Sequence, residues 1–305
     1  MAANVPVNLL LALVKNKKWT PEQGLAYALQ NPNPQNKVNS LTKLVNYLPP
    51  NLQELALQKA LAAARAIQDE YHRANALRAL AQELPPELLP EALAAARAIQ
   101  DEYHRANALR ALAQKLPPEL LPEALAAARA IQDEYHRANA LRALAQKLPP
   151  ELLPEALAAA RAIQDESFRA DTLSALVQEL PPELLPEALT AARAVQFNLF
   201  RADTLSALAD KLPEILPEAL AAARAIQDKY DRANALSALA SGLSKMPSTE
   251  LFPLWQDTLH QLSLRTRPDL LQDIKALFPV IFALGGEAAT AELARAIVDV
   301  ARWWR

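Results

Sequence analysis

Cysteine is absent from the 305 residues, glycine occurs four times, and aromatic side chains make up 5% of the chain. Without cysteine there is neither a disulfide nor a thiolate-ligated metal site. No phosphate-cradling Gly-x-x-x-x-Gly-Lys loop, Gly-x-Ser-x-Gly elbow or His-Glu-x-x-His pair occurs, so catalysis finds no support and neither cofactor nor metal is expected. A surplus of one charge is missing too. Lys plus Arg number 32 against 34 Asp plus Glu, which argues against the basic footprint of a nucleic-acid binder or a membrane-surface protein. Long hydrophobic runs are also wanting: the best stretch, Val5 to Val14, contains Pro6 and Asn8 and is followed by Lys15, Lys17 and Lys18. It reads as a short capping helix, and a soluble cytoplasmic protein is the default expectation, with mild support from the lack of cysteine.

What the chain does have is alanine and leucine in a strict period. Arg65, Arg97, Arg129, Arg161, Arg193 and Arg224 each sit in Ala-Ala-Arg-Ala-(Ile or Val)-Gln, at steps of 32, 32, 32, 32 and 31. A second file keeps step at Arg73, Arg105, Arg137, Arg169, Arg201 and Arg232, each followed by Ala and then Asn or Asp. The short step comes from one deletion at 212–217, and Glu87 to Pro118 is identical to Glu119 to Pro150. Such identity points to recent duplication or to a consensus sequence.

Within one unit, Leu89, Ala92, Leu93, Ala96 and Ile99 mark one face of a first helix, helix A. Glu87 and Glu91 suit its positive N-terminal end, where Pro90 is tolerated. Asp101 is the expected N-cap of helix B, whose apolar face carries Ala106, Leu109, Leu112, Ala113 and Leu116 before Pro117 and Pro118 stop it. A hairpin of this kind cannot bury its apolar stripe alone, so neighbours must stack. The expected fold is all-α: an α-solenoid (a right-handed α–α superhelix) of tandem two-helix repeats of about 32 residues with diverged N- and C-terminal caps. The expected organisation is an N-terminal cap with a degenerate first hairpin (1–50), six tandem repeats (51–246), and a degenerate seventh hairpin with a C-terminal helical cap (247–305). In the last segment Leu277 to Leu284, a Gly285-Gly286 break and a helix from Glu287 to Trp304 would close the core, with Trp255, Trp303 and Trp304 as bulk.

Six copies inside one chain can be compared with one another. Both arginine files are constant, and are expected to form structural ladders to carboxylates, Asn or Asp side chains or helix-end carbonyls of the next unit. Asp-Glu pairs such as Asp101-Glu102 recur as solvated caps would. Variation gathers on the opposite side of helix B, at i, i+4, i+7 and i+11. The first three copies read Tyr71-Asn75-Arg78-Gln82, Tyr103-Asn107-Arg110-Gln114 and Tyr135-Asn139-Arg142-Gln146. The next two, Ser167-Asp171-Ser174-Gln178 and Leu199-Asp203-Ser206-Asp210, lose arginine and gain Asp171 and Asp203; the sixth is Tyr230-Asn234-Ser237-Ser241. Two readings stand: a two-toned groove whose Tyr and Arg take an acidic or aromatic part of a protein or peptide, or a solvated face that drifted after duplication. His72, His104 and His136 fall one to a hairpin; helix axes ~8–10 Å apart are too far for about 2 Å zinc–nitrogen bonds to converge. A surface or rim role suits them, since the position becomes Phe168, Phe200 and Asp231.

The units, with Leu277-x-Pro279-Val280-Ile281-x-Ala283-Leu284-Gly285-Gly286 and Ala296-Ile297-x-Asp299-Val300-x-Arg302-Trp303-Trp304, resemble α-solenoid repeats of the TPR and HEAT kind. They lack the TPR Trp-Leu-Gly-Tyr pattern, and the period is short for HEAT. They are more similar to the C-terminal helical-repeat regions of multidomain bacterial, especially cyanobacterial, proteins, some with NACHT or NB-ARC type NTPase modules. The resemblance covers about residues 50 to 305 and implies a sensor or protein-interaction role, with output supplied elsewhere. It carries over no functional residue. The expectation is a non-catalytic binding scaffold; a structural or self-assembling array without a specific ligand, and a regulatory domain of a larger NTPase system, are the alternatives.

Overall fold

The alternation of alanine-rich and leucine-rich faces sets the architecture seen in the computed structural model, which describes residues 5–303, with side-chain surroundings through residue 299. Among the described residues there are helices and no strands. Helix A is Pro50–Arg65 in the first good repeat and then Leu89–Arg97, Leu121–Arg129, Leu153–Arg161, Leu185–Arg193 and Leu216–Arg224. Helix B is Glu70–Leu80, Glu102–Ala113, Glu134–Ala145, Glu166–Val177, Asn198–Ala209 and Lys229–Leu243. The chain is an all-α solenoid of hairpin repeats of about 32 residues.

Local chemistry explains each boundary. In the first four repeats and the sixth, an aspartate such as Asp101 caps helix B by accepting the amide of the residue three along, His104, at 2.9 Å. In the fifth, Phe197 holds that position without a side-chain cap. The paired prolines differ from the expected simple stop. Helix B ends at Ala113, and Pro118 opens a short 3-10 turn, Pro118–Leu120, that feeds the next helix A. Glu87 lies in the equivalent turn, and Pro90 sits in the first turn of helix A, where no amide donor is needed.

Packing follows the two faces. Leu89, Ala92, Leu93, Ala96 and Ile99 are buried, as are Ala106, Leu109, Leu112, Ala113 and Leu116. Burying a leucine side chain is worth about 1.5–3 kcal/mol, and alanines such as Ala95 and Ala108 let neighbouring helices approach closely.

The chain divides into two compact units, Met1–Ala159 and Ala160–Arg305. The first opens with the capping helix Val7–Lys15 and a hairpin of Pro21–Leu29 and Pro34–Leu44, capped by Thr20 and Asn33. Gly24 admits the capping helix, because a Cβ there would lie 2.6 Å from Val14 Cγ2. The second closes with a hairpin of Ser248–Ser263 and Arg267–Ala276 and a bent helical segment, Phe278–Trp303. The bend is the Gly-Gly break: Gly286 adopts φ 59°, ψ −148°, a region closed to residues with a Cβ. Trp255 is half-buried, whereas Trp304 and the side chain of Trp303 lie outside the described residues. No single described helix is long and apolar enough to cross a membrane; Arg267–Ala276 with Phe278–Asp299 meets that composition only jointly, across an 80° bend.

Candidate functional site

The two arginine files differ in what they hold. Those of helix A reach carboxylates of the following repeat: Arg65 pairs with Glu91, Arg97 with Glu123, Arg129 with Glu155, Arg161 with Glu187, and Arg193 with Glu218 at 2.7 Å. These pairs are largely exposed, so each contributes about 0.2–1 kcal/mol. The last member, Arg224, is mostly buried and is held by Asp257 and Thr258 of the closing hairpin.

Apart from its last member, Arg232, the helix B file turns back to its own hairpin rather than reaching the next unit as expected. Arg105 donates to the carbonyls of Ile99 and Gln100 in its own hairpin turn, at 3.0 and 3.1 Å, and to Glu102 at 3.2 Å. Arg137 and Arg169 repeat the pattern, and Arg73 pairs with Glu70 at 2.9 Å. The reason is directional: side chains on a helix lean toward its N-terminus, and an arginine one turn into helix B therefore meets the turn before it. The step to the next repeat is made by the glutamate. Glu102 accepts the amides of Gln132 and Asp133 at 2.8 and 2.7 Å, and Glu70 accepts those of Gln100 and Asp101 at 2.9 and 2.7 Å. These amides hold the carboxyls of Glu70, Glu102 and Glu166 below their ordinary range. Glu102 is thus a connector rather than a solvated cap, a role that its constancy in the first four repeats could have signalled.

In the fifth repeat Asn198 takes over, accepting from Arg201 and donating to the Ala225 carbonyl at 3.2 Å. In the sixth, Lys229 stands at that position, and Asp273 of the closing hairpin replaces the missing carboxylate. It receives Nε of the fully buried Arg232 on both oxygens, at 3.0 and 2.8 Å. In the closing hairpin Arg267 begins its helix and donates to the Ile297 carbonyl at 3.4 Å.

The variable stripe faces outward. In the first unit Tyr71, Tyr103 and Tyr135 are each about half exposed. Arg78, Arg110 and Arg142 are exposed a helical turn or two further on. The histidines interleave with the tyrosines. Tyr71 meets His72 and His104 at 5.1 and 5.6 Å between ring centroids, Tyr103 meets His104 and His136 at 5.0 and 5.2 Å, and Tyr135 meets His136 at 5.2 Å. All are edge-to-face, the arrangement favoured by ring quadrupoles. His72, His104 and His136 therefore belong to an aromatic row that links successive helices B. Among the described residues no group of three or more His, Asp or Glu is placed to hold a metal.

Shallow cavities lie along this row. One of about 150 Å³ is lined by Tyr103, Asn107 and Arg110 of one helix with Tyr135, His136 and Asn139 of the next. Another of about 310 Å³ continues the face to the N-terminal hairpin, where Asn39 and Lys43 oppose His72 and Asn75. Gln35 Nε2 lies 3.0 Å from His72 Nδ1. Gln35 and Lys43 thus extend the face into the degenerate first hairpin, outside the six-repeat comparison.

In the second unit the corresponding row is acidic. Asp171 and Asp203 reach the surface, and desolvation of the Asp203 carboxyl by surrounding protein atoms, then repulsion from Asp171 and Asp231, pushes it up. Asp231, from the histidine file, joins the two expected aspartates. A separate cavity of about 530 Å³ sits where the repeat is irregular, with Asp210, Glu214, Lys245 and Glu250 above Leu216 and Met246.

Fold and surface define a class: this is an all-helical tandem-repeat protein. No family model and no curated protein matches the chain. Among solved structures it is similar to the crystal structure of Ton1535 from Thermococcus onnurineus NA1, with 15% identity over 90% of this chain and 98% of that one and a TM-score of 0.32. A likeness that slight carries no argument about either fold or function.

Proposed function

We propose that the protein is a non-catalytic interaction scaffold, acting in the cytoplasm, that binds a protein or peptide along the outward face of helix B in its first unit. The observation that carries this reading is the aromatic row from His72 to Tyr135, flanked by Arg78, Arg110 and Arg142. Exposed tyrosine and arginine are the side chains that dominate binding hot spots. The buried core lies on the opposite face of each helix, and the tyrosines stay half exposed even where they meet the histidine of the next repeat. The resemblance to repeat regions of larger NTPase systems adds that a response would be generated by another module. The identity of two whole repeats favours a second reading, a structural or self-assembling array.

Changing Arg78, Arg110 and Arg142 together to Ser tests the first reading. Loss of three partner contacts is expected to weaken capture of a native partner by about tenfold or more, with helicity unchanged by circular dichroism. Unchanged capture would sink it, and self-association without a stoichiometric partner in light scattering would favour the second.

A further inference from the structure

We propose that the segment bound on this face is acidic and proline-rich, lies in the polyproline II conformation, and carries a carboxylate at every third residue. The proposal rests on the scaffold reading above and deepens it. Each of four successive helices on this face presents one exposed cation: Lys43 on Pro34–Leu44, Arg78 on Glu70–Leu80, Arg110 on Glu102–Ala113 and Arg142 on Glu134–Ala145. Neighbouring members pack directly on one another; Arg78, Arg110 and Arg142 hold equivalent positions on successive helices B, whose axes packing sets about 8–10 Å apart, and Lys43 lies beside the row, lining a cavity with His72 and Asn75. A polyproline II chain has three residues per turn at about 3.1 Å each, so every third side chain returns to the same side after about 9.3 Å. The two periods coincide.

A β-strand cannot keep this match, because its side chains alternate faces residue by residue. An α-helical partner needs a continuous apolar groove for its buried stripe, whereas this face offers two separate small cavities, of about 150 and 310 Å³, with Arg110 and Asn139 lining the first and Asn39 and Lys43 the second. Half-exposed Tyr71, Tyr103 and Tyr135 supply the aromatic surface that pyrrolidine rings pack on. The carboxylates nearest the row are spoken for: Asp69, Asp101 and Asp133 accept the amides of His72, His104 and His136 as helix caps, at 2.8, 2.9 and 2.9 Å. Arg78, Arg110 and Arg142 are exposed one or two turns further along, where Arg110 also donates to Asn107 Oδ1 at 3.2 Å. Such a segment is also already extended when free, so little ordering entropy opposes binding.

Fluorescence anisotropy on the full chain tests this with three labelled probes. They are acetyl-(Glu-Pro-Pro)4-amide, an isomer of identical composition with its glutamates in two adjacent pairs, and acetyl-(Lys-Pro-Pro)4-amide. The regular acidic peptide is expected to bind about tenfold tighter than its isomer, a difference near 1.4 kcal/mol, and to lose that advantage in the Arg78→Ser, Arg110→Ser, Arg142→Ser variant. The Lys peptide should not bind. Arg110→Lys, which keeps the charge, should retain most of the affinity if the variant effect is electrostatic. Equal binding of the two acidic isomers, abolished by the triple change, would overturn the periodic match and leave the acidic-partner reading standing. Failure of both acidic peptides, or preference for the Lys peptide, would overturn both.

Discussion

The two compact units keep one scaffold and differ in what they show to solvent. In Met1–Ala159 and in Ala160–Arg305 alike, helix A arginines reach the carboxylate of the following repeat, as Arg97 does with Glu123 and Arg193 with Glu218. On helix B the first unit presents Tyr, His and Arg, and the second presents Phe, Asp and Ser, with tyrosine returning at Tyr230. The arginine–carboxylate links of helix A persist, while the outward face of helix B changes. The comparison also exposes a substitution within the scaffold: the half-buried connector Glu102 of the first unit, kept as Glu166 early in the second, gives way at the sixth repeat to the buried Arg232–Asp273 pair.

That contrast is most sharply broken at Asp273. Its removal in Asp273→Ala leaves a buried guanidinium without its carboxylate and is expected to cost about 3–5 kcal/mol in urea denaturation. Replacing both members, Arg232→Met with Asp273→Leu, should recover most of the loss; a double variant as unstable as the single would show that the pair does more than balance its own charges.

In the first unit Glu102→Ala removes two charge-assisted bonds from next-repeat amides and a partner of Arg105, for an expected loss of about 1–3 kcal/mol. The same carboxylates set a pH dependence. Glu70, Glu102 and Glu166 titrate lower in the folded chain than the ordinary value near 4.5. Their stabilisation is therefore complete above about 4.5 and drains away as pH falls through the lowered folded values. Denaturation midpoints measured from pH 6 to pH 3 should fall, and Glu102→Gln should flatten the slope. A midpoint independent of pH would show that these amide bonds contribute nothing. The smallest effect is expected at the exposed helix A pairs, where Arg97→Ala should cost about 0.2–1 kcal/mol, less at high salt. A larger loss would mean that the ladder, rather than the apolar faces, joins the repeats.

Much of this was legible in the residues. The 32-residue step, the helix faces led by Leu89 and Leu109, the Asp101 cap and the Gly285-Gly286 break all follow from local rules of periodicity and capping. The exposure of Tyr103 and Arg110 followed from the helical wheel as well. Less legible were pairings that depend on where a long side chain ends. Arg105 recurs in all six repeats and Glu102 in the first four, yet nothing in their spacing says that the arginine turns back to its own hairpin while the glutamate reaches forward.

By itself, then, the sequence determined the repeat, the all-helical class and the division of each helix into a buried and a wet face, because these arise from residues a few positions apart. Tertiary structure alone decided the interleaved Tyr–His row, the Arg232–Asp273 pair formed across 41 positions, and the cluster of Asp171, Asp203 and Asp231. Each depends on the distance between side chains of different helices, which stacking sets and chain periodicity does not record.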